Sequence, residues 1–186
     1  MNVQKYNSQA WDAAVENGNE WSRPVSAKTI AAARRGKWSV ILTPKKKVPR
    51  EWFGEIKGKN ILCLASGGGQ QAPVLAAAGA RVTSFDNSAR QLAQDKFVAG
   101  RDGLEIRLEQ GDAADLSRFA DASFDLIFNP VSNCFFPKLA PVWNECFRTL
   151  RSGGTLLSGF MNPVFFMIDH SLENKKSNLF FCRQER

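Results

Sequence analysis

The chain is poor in the residues that build metal centres and disulfide frameworks. Among its 186 residues there is one histidine, His170, one tyrosine and four cysteines. The cysteines, Cys63, Cys134, Cys146 and Cys182, form no CxxC pair, and three lie inside apolar runs. That spacing argues against zinc ligation and against a disulfide scaffold, and it predicts buried thiols and no metal site. No stretch of about 18 apolar residues occurs, so no membrane-spanning helix is expected. The opening "MNVQKYNSQAWD" is polar and lacks the apolar core of a secretory signal. A cytoplasmic location is the expectation that follows.

What is present is the composition of an ordinary globular protein, 44% hydrophobic and 23% charged, with enough length for one domain and a sizeable core. The net charge of +7 is unevenly spread. Residues 1–60 hold 12 Lys/Arg against 5 Asp/Glu, whereas the remainder holds 13 of each. The basic excess sits in "AARRGKW" and "TPKKKVPR", without the aromatic interleaving of a nucleic-acid module, so no nucleic-acid partner is favoured. Four of the five tryptophans, Trp11, Trp21, Trp38 and Trp52, fall in the same region. "NSQAWDAAVENG" and "SAKTIAAARRGKW" each read as a capped helix closed by glycine, with Asn7 or Ser8 capping the first and Ser26 the second. Residues 1–57 are therefore expected to form a helical lid and substrate wall, and residues 58–186 a separate ligand-binding unit.

From residue 59 strands and helices alternate. "KNILCLAS", "RVTSFDNS", "LEIRLEQGD", "FDLIFNPVSN" and "GTLLSGFMNP" read as five strands. The third is expected near a sheet edge because one of its faces is charged. The intervening helices include "PVWNECFRTLRSGG", whose Val142, Cys146, Phe147 and Leu150 are expected on one apolar face. This alternation predicts an α/β fold with a doubly wound, mostly parallel sheet and helices on both faces. Ligands of such sheets bind at the carboxyl ends of the strands, where strand order reverses. Here those ends carry a triple glycine, Asp86, Asp112 and Asn129-Pro130.

Each of these residues has a chemical use. Gly67, Gly68 and Gly69 allow close backbone approach ahead of a helix N-terminus, which suits a phosphate or carboxylate, although a tight turn needs the same residues. Asp86, 17 residues beyond Gly69, can accept both hydroxyls of a ribose or cap the next helix. Asp112 can accept from the exocyclic amine of a base while the Ala113 N–H donates to a ring nitrogen. Asp115 reads as a cap or a surface charge. Asn129 and Pro130, with Ser132, Asn133 and Cys134, form a loop over the reacting end of the ligand.

The ordered series "ILCLASGGG", "VTSFDNS", "EQGDAADL", "FDLIFNP" and "LRSGGTLLSGF" resembles the class I S-adenosylmethionine-dependent methyltransferases, in particular their ubiquinone-biosynthesis-like small-molecule branch. The resemblance covers residues 59–163. It implies a Rossmann-like methyltransferase fold and S-adenosyl-L-methionine as cofactor, with S-adenosyl-L-homocysteine as product. Ala65, Gly67 and Gly69 match the glycine positions of the first motif, which meets the methionine and ribose parts. Asp86, with Asn87 beside it, matches the ribose site, Asp112 and Ala113 the adenine site, and Asn129 and Pro130 the loop beside the sulfonium. Two departures stand out. Cys63 occupies the place of an acidic residue that helps hold the methionine end, and Ala65 that of a glycine. The tail "VFFMIDHSLENKKSNLFFCRQER" is also too short for the helix and two strands that close the family's sheet, since these need on the order of 30 residues. The last two strands are therefore expected to be missing, which would leave the fifth strand's edge open to pairing in a homodimer.

The resemblance implies in-line methyl transfer to a small-molecule acceptor, with Asn129 the candidate to orient it and an anionic or aromatic acceptor suiting the lid. Two other readings remain open at this level. Gly67, Gly69 and Ala72 satisfy G-x-G-x-x-[GA] with an acidic residue downstream, as in NAD(P)-dependent oxidoreductases. A non-catalytic, shortened methyltransferase-like binding module is the third.

Overall fold

A computed structural model describes residues 2–43, 46–162 and 164. The chain begins with helix α1 (Val3–Glu16), a 3₁₀ turn at Glu20–Ser22 and helix α2 (Ala27–Arg34). A short antiparallel pair follows, β1 (Ile41–Thr43) with β2 (Lys46–Lys47), and then a 3₁₀ turn at Arg50–Trp52. The regular part runs β3 (Asn60–Leu64), α3 (Gln71–Ala77), β4 (Arg81–Asp86), α4 (Ala89–Asp102), β5 (Ile106–Gln110), β6 (Phe124–Asn129), α5 (Leu139–Thr149) and β7 (Leu150–Ser158). The last five strands are the five read from the sequence. They form one sheet in the order β5-β4-β3-β6-β7, parallel throughout. The third predicted strand, β5, is indeed an edge strand. The order reverses between β3 and β6, so the crevice at their carboxyl ends is the topological switch point.

The β3 sequence shows why this sheet is buried on both sides. Ile61 and Cys63 join a core with Ile30 and Ala33 of α2, Leu75 of α3 and Val98 of α4. Leu62 and Leu64 face the opposite core, built with Leu116, Phe119 and the α5 residues Val142 and Cys146. Phe53 and Ile56, from the N-terminal region, belong to the first of these cores, so the segment ahead of β3 is packed into the sheet's own interior.

Several local expectations change. Helix α1 starts at Val3 with the Asn2 side chain accepting from the Lys5 N–H, so Asn7 and Ser8 are mid-helix residues rather than caps. Ser26 does cap α2, accepting from the Thr29 N–H at 3.2 Å. Phe147 is 84% exposed, because Val142, Cys146 and Thr149 are the α5 residues that meet the sheet and Phe147 is turned about 140° away from Val142. Strand β7 begins at Leu150, ahead of its expected start, with an irregularity in its pairing with β6 that absorbs Gly153 and Gly154. Of the thiols, Cys63 and Cys146 are buried but Cys134 is exposed. Cys182 and the tail on which the missing-strand expectation rests lie outside the described residues.

Candidate functional site

A cavity of about 640 Å³ opens over the carboxyl ends of β3, β4, β5 and β6. Its size lies within the range of about 300–1,000 Å³ typical of small-molecule sites. The sequence that ends β3 makes its floor. Ala65 and Gly67 both take positive φ, 47° and 76°, which turns the chain back under α3. Gly68 is required by space rather than by φ. A Cβ there would lie 2.6 Å from Gln91 Oε1 and 2.9 Å from the Gln91 carbonyl carbon.

The N-terminal segment is sewn onto this loop. The Val25 N–H donates to the Gly69 carbonyl at 2.8 Å, and Gln70 Nε2 donates to the Glu20 carbonyl at 2.7 Å. Gln91 Nε2 donates to Ser22 Oγ at 2.7 Å. Helix α1 closes the cavity from above. Ser8 Oγ donates to the Asn87 carbonyl at 3.0 Å, Asn87 Nδ2 to the Gln4 carbonyl at 2.6 Å, and Asn7 Nδ2 to the Phe135 carbonyl at 2.8 Å. Trp11 meets Phe135 edge-on at 5.3 Å between ring centroids.

Of the residues singled out in the sequence, Ala65, Gly67, Asp86, Asn87, Asp112, Ala113 and Pro130 line this one cavity. They come from four strand ends that are distant in sequence and adjacent in the sheet. Asp86 accepts from the Ser88 N–H at 2.8 Å, so it closes the turn into α4 while one edge still faces the cavity. Desolvation raises its pKa to about 6, against the pull of the Ser88 and Asn87 hydrogen bonds. Asp112 accepts from the Ala114 N–H at 3.0 Å and from the Gln4 side-chain amide. That amide is an N–H donor of the kind an exocyclic base amine would supply.

Two expected residues stand elsewhere. Gly69 is buried below the loop surface, its carbonyl held by Val25 and its N–H by Asp95. Asn129 is fully buried and does not line the cavity. Its Nδ2 donates to the Leu64 carbonyl at 2.8 Å and to Ser132 Oγ at 2.5 Å, and its Oδ1 accepts from Ser158 Oγ at 3.1 Å. It therefore ties β3 to β7 below the loop and is not free to orient an acceptor. Asp115 is exposed and accepts from the Ser117 N–H, a turn cap as expected.

Three parts of the site had no individual assignment. Trp21, Leu42, Phe135, Phe136 and Phe160 give the cavity an apolar wall. Val131 sits in that wall with φ +33°, a strained value for a β-branched residue. Asp95 is wholly buried beneath the glycine loop. A signal for it existed, since Asp95 shares a helical stripe with the buried Leu92 and Val98, where a carboxylate is out of place. The ionisable side chains on the cavity wall are Glu20, Asp86 and Asp112, and the described lining includes no Lys or Arg. Lys46 and Lys47 are exposed and lie off the wall.

Comparison with known proteins gives a consistent picture. The family described as "Methyltransferase domain" matches residues 62–158. The uncharacterized methyltransferase YbaJ of Bacillus subtilis (strain 168) is 54% identical over 170 residues, which is 91% of this chain and 67% of YbaJ. Among solved structures, the PH0226 protein of Pyrococcus horikoshii OT3 superposes with a TM-score of 0.54 at 27% identity, covering 59% of this chain and 49% of PH0226. An S-adenosylmethionine-dependent methyltransferase from Mesorhizobium loti has the same fold, with a TM-score of 0.57 at 23% identity over 64% of this chain and 54% of that one. The chain thus spans about half the length of these two solved proteins.

Proposed function

The chain belongs to the class I S-adenosylmethionine-dependent methyltransferase family, and on that premise we propose that it binds S-adenosyl-L-methionine and transfers its methyl group to a small, largely apolar acceptor. The observation that carries this reading is the convergence of Asp86, Asp112 and the Ala65–Gly67 backbone on one cavity at the switch point of the sheet. The donor and acceptor chemistry of this wall fits the cofactor. Asp86 accepts the ribose hydroxyls, Asp112 accepts the adenine amine in place of Gln4, and the glycine loop presents backbone to the methionine part. Ser66 Oγ and Gln91 Oε1, buried on the same wall without a hydrogen-bond partner among the described residues, fit a polar ligand as well.

The bound cofactor supplies the activated methyl on its sulfonium, and the protein's part is alignment and exclusion of water. The apolar wall of Trp11, Trp21, Leu42, Phe135 and Phe160 is the acceptor side. With Glu20 the one described ionisable lining group not assigned to the cofactor, the cavity favours a neutral or cationic acceptor, aromatic in part, over an anionic one. Residues 1–57 act as lid and substrate wall in this reading. No described side chain is placed as a general base, and a nucleophilic acceptor needs none. Calorimetric titration with S-adenosylhomocysteine and, separately, with NADH tests the reading. Binding of the former and not the latter is expected. Binding of NADH alone would turn the reading to an oxidoreductase, and a folded sample that binds neither would turn it to a non-catalytic module.

A further inference from the structure

Asp95 takes no direct part in the cavity, yet it is the most deeply buried carboxylate near it. It projects from α4 into the space below the glycine loop, where its relative exposure is 0%. One oxygen accepts from the Gly69 N–H at 2.7 Å, and the other accepts from the Ser84 hydroxyl at 2.6 Å. Ser84 is the register partner of Cys63 across β3 and β4. Cys63, Ser84 and Asp95 therefore form one buried cluster, and the Asp95 charge adds to burial in pushing the Cys63 thiol well above its ordinary range. A buried charge is costly unless something in the fold uses it. Here what it holds is a loop peptide whose N–H has no other acceptor among the described residues.

The Gly69 peptide is the pivot of the loop. Its N–H points down to Asp95 and its carbonyl is held by Val25. With that peptide fixed, the residues before it, Ala65 to Gly67, face the cavity. The acidic residue that the resemblance expects on the first strand is replaced by Cys63, which stands next to the same loop and cannot accept strongly. We propose that Asp95 is the positioning residue of the cofactor loop, a carboxylate delivered from α4 that does the work left undone by Cys63 on β3. The inference rests on the S-adenosylmethionine reading of the cavity. Its subject is a residue that does not touch the cofactor and acts through the Gly69 peptide.

Asp95→Asn keeps the shape and lets the amide oxygen accept from the Gly69 N–H while the amide nitrogen donates to Ser84 Oγ, so what it removes is the negative charge on the acceptor. Titration of folded D95N with S-adenosylhomocysteine is expected to show affinity weaker by about tenfold or more, the loss typical of a charge-assisted hydrogen bond. Adding Cys63→Asp to D95N returns a carboxylate to the same cluster from β3 and is expected to recover most of the affinity. A purely structural role would lower stability in D95N while leaving the affinity of the folded fraction unchanged, and that result would overturn the inference. So would a D95N protein that fails to fold and is not restored by Cys63→Asp. If the wild-type protein itself binds no S-adenosylhomocysteine, the functional reading fails first and this inference with it. Equal binding by wild type and D95N removes the inference alone.

Discussion

The two halves of the cavity are built in opposite ways. The half over β3, β4 and β5 is polar and fixed by the backbone: strand ends set Asp86 and Asp112, and hydrogen bonds from residues 20–25 and from Asp95 hold the glycine loop. The half toward β6 and β7 is apolar, and much of it is made by side chains from outside the sheet, on α1, β1 and the loops at 135–136 and 160–162. The polar half suits a ligand of constant chemistry, since each contact specifies one group. The apolar half offers area and shape with few directional groups, which is how one fold adapts to different acceptors.

The largest effect expected in breaking this contrast is that of Gly68→Ala. The new Cβ meets the Gln91 backbone, which α4 cannot move, and overpacking of this kind costs about 3 kcal/mol. Urea unfolding should show the loss, together with loss of S-adenosylhomocysteine binding. Next is Asp86→Asn, which removes a carboxylate from the polar half. It should weaken S-adenosylhomocysteine by about 2 kcal/mol in calorimetry, the scale of hydrogen bonds to a charged group. Because burial raises the Asp86 pKa to about 6, the wild-type affinity should hold above pH 7 and fall as pH drops through 6, where the carboxylate takes up a proton. D86N should lack the fall near pH 6 and keep only the part set by Asp95, whose pKa burial raises to about 7.

A third test uses stability rather than binding. Burial raises the pKa of Asp95 to about 7, despite its bonds to Ser84 and Gly69, and Asp86 adds to the shift. A carboxylate whose folded pKa lies above its unfolded value binds protons more tightly in the folded state. Its stabilising contribution is therefore full below the unfolded pKa of about 3.9 and is lost as pH rises through about 7. The Tm of D95N relative to wild type should accordingly rise between pH 5 and pH 8 in differential scanning fluorimetry. A difference that stays flat would mean that Asp95 keeps its charge throughout that interval.

Smaller effects belong to the apolar half and the outer surface. Trp11→Ala removes the edge-on contact with Phe135 and should cost about 1 kcal/mol of stability. It should leave S-adenosylhomocysteine affinity within about threefold while reducing turnover of aromatic acceptors in a methyl-transfer screen. Phe147→Ser, on the exposed side of α5, should change the unfolding free energy from urea titration by no more than about 0.5 kcal/mol. A large loss there would restore Phe147 to the apolar face that the sequence suggested.

Much of the polar half was legible in the sequence because its information is local. Asp86 and Asp112 each end a strand, and a strand of period two placed by its neighbours carries its last residue to the same edge of the sheet every time. The apolar half was less legible because its contacts join Trp11 to Phe135 and place Leu42 and Phe160 on one wall, pairings that no periodicity encodes. Asn129 illustrates the limit from the other side. Its strand-end position was read correctly, but its hydrogen bonds to Leu64, Ser132 and Ser158 turn it down into the sheet. Gly69 is the same case, since a glycine's place in a loop does not say which way its peptide faces.

By itself the sequence determined the order of strands and helices, the five-stranded parallel sheet and the acidic residues at its carboxyl edge, since hydrophobic periodicity and chain connectivity leave few other ways to bury these segments. Only the tertiary structure decided what lies over and under that edge. It set α1 across the cavity with Gln4 on Asp112, and it brought Asp95 beneath Gly69 in the place where Cys63 offers no carboxylate. The physical reason is that a buried charge is held where opposing donors converge, and the Gly69 N–H and the Ser84 hydroxyl converge only after α4 has packed on the sheet.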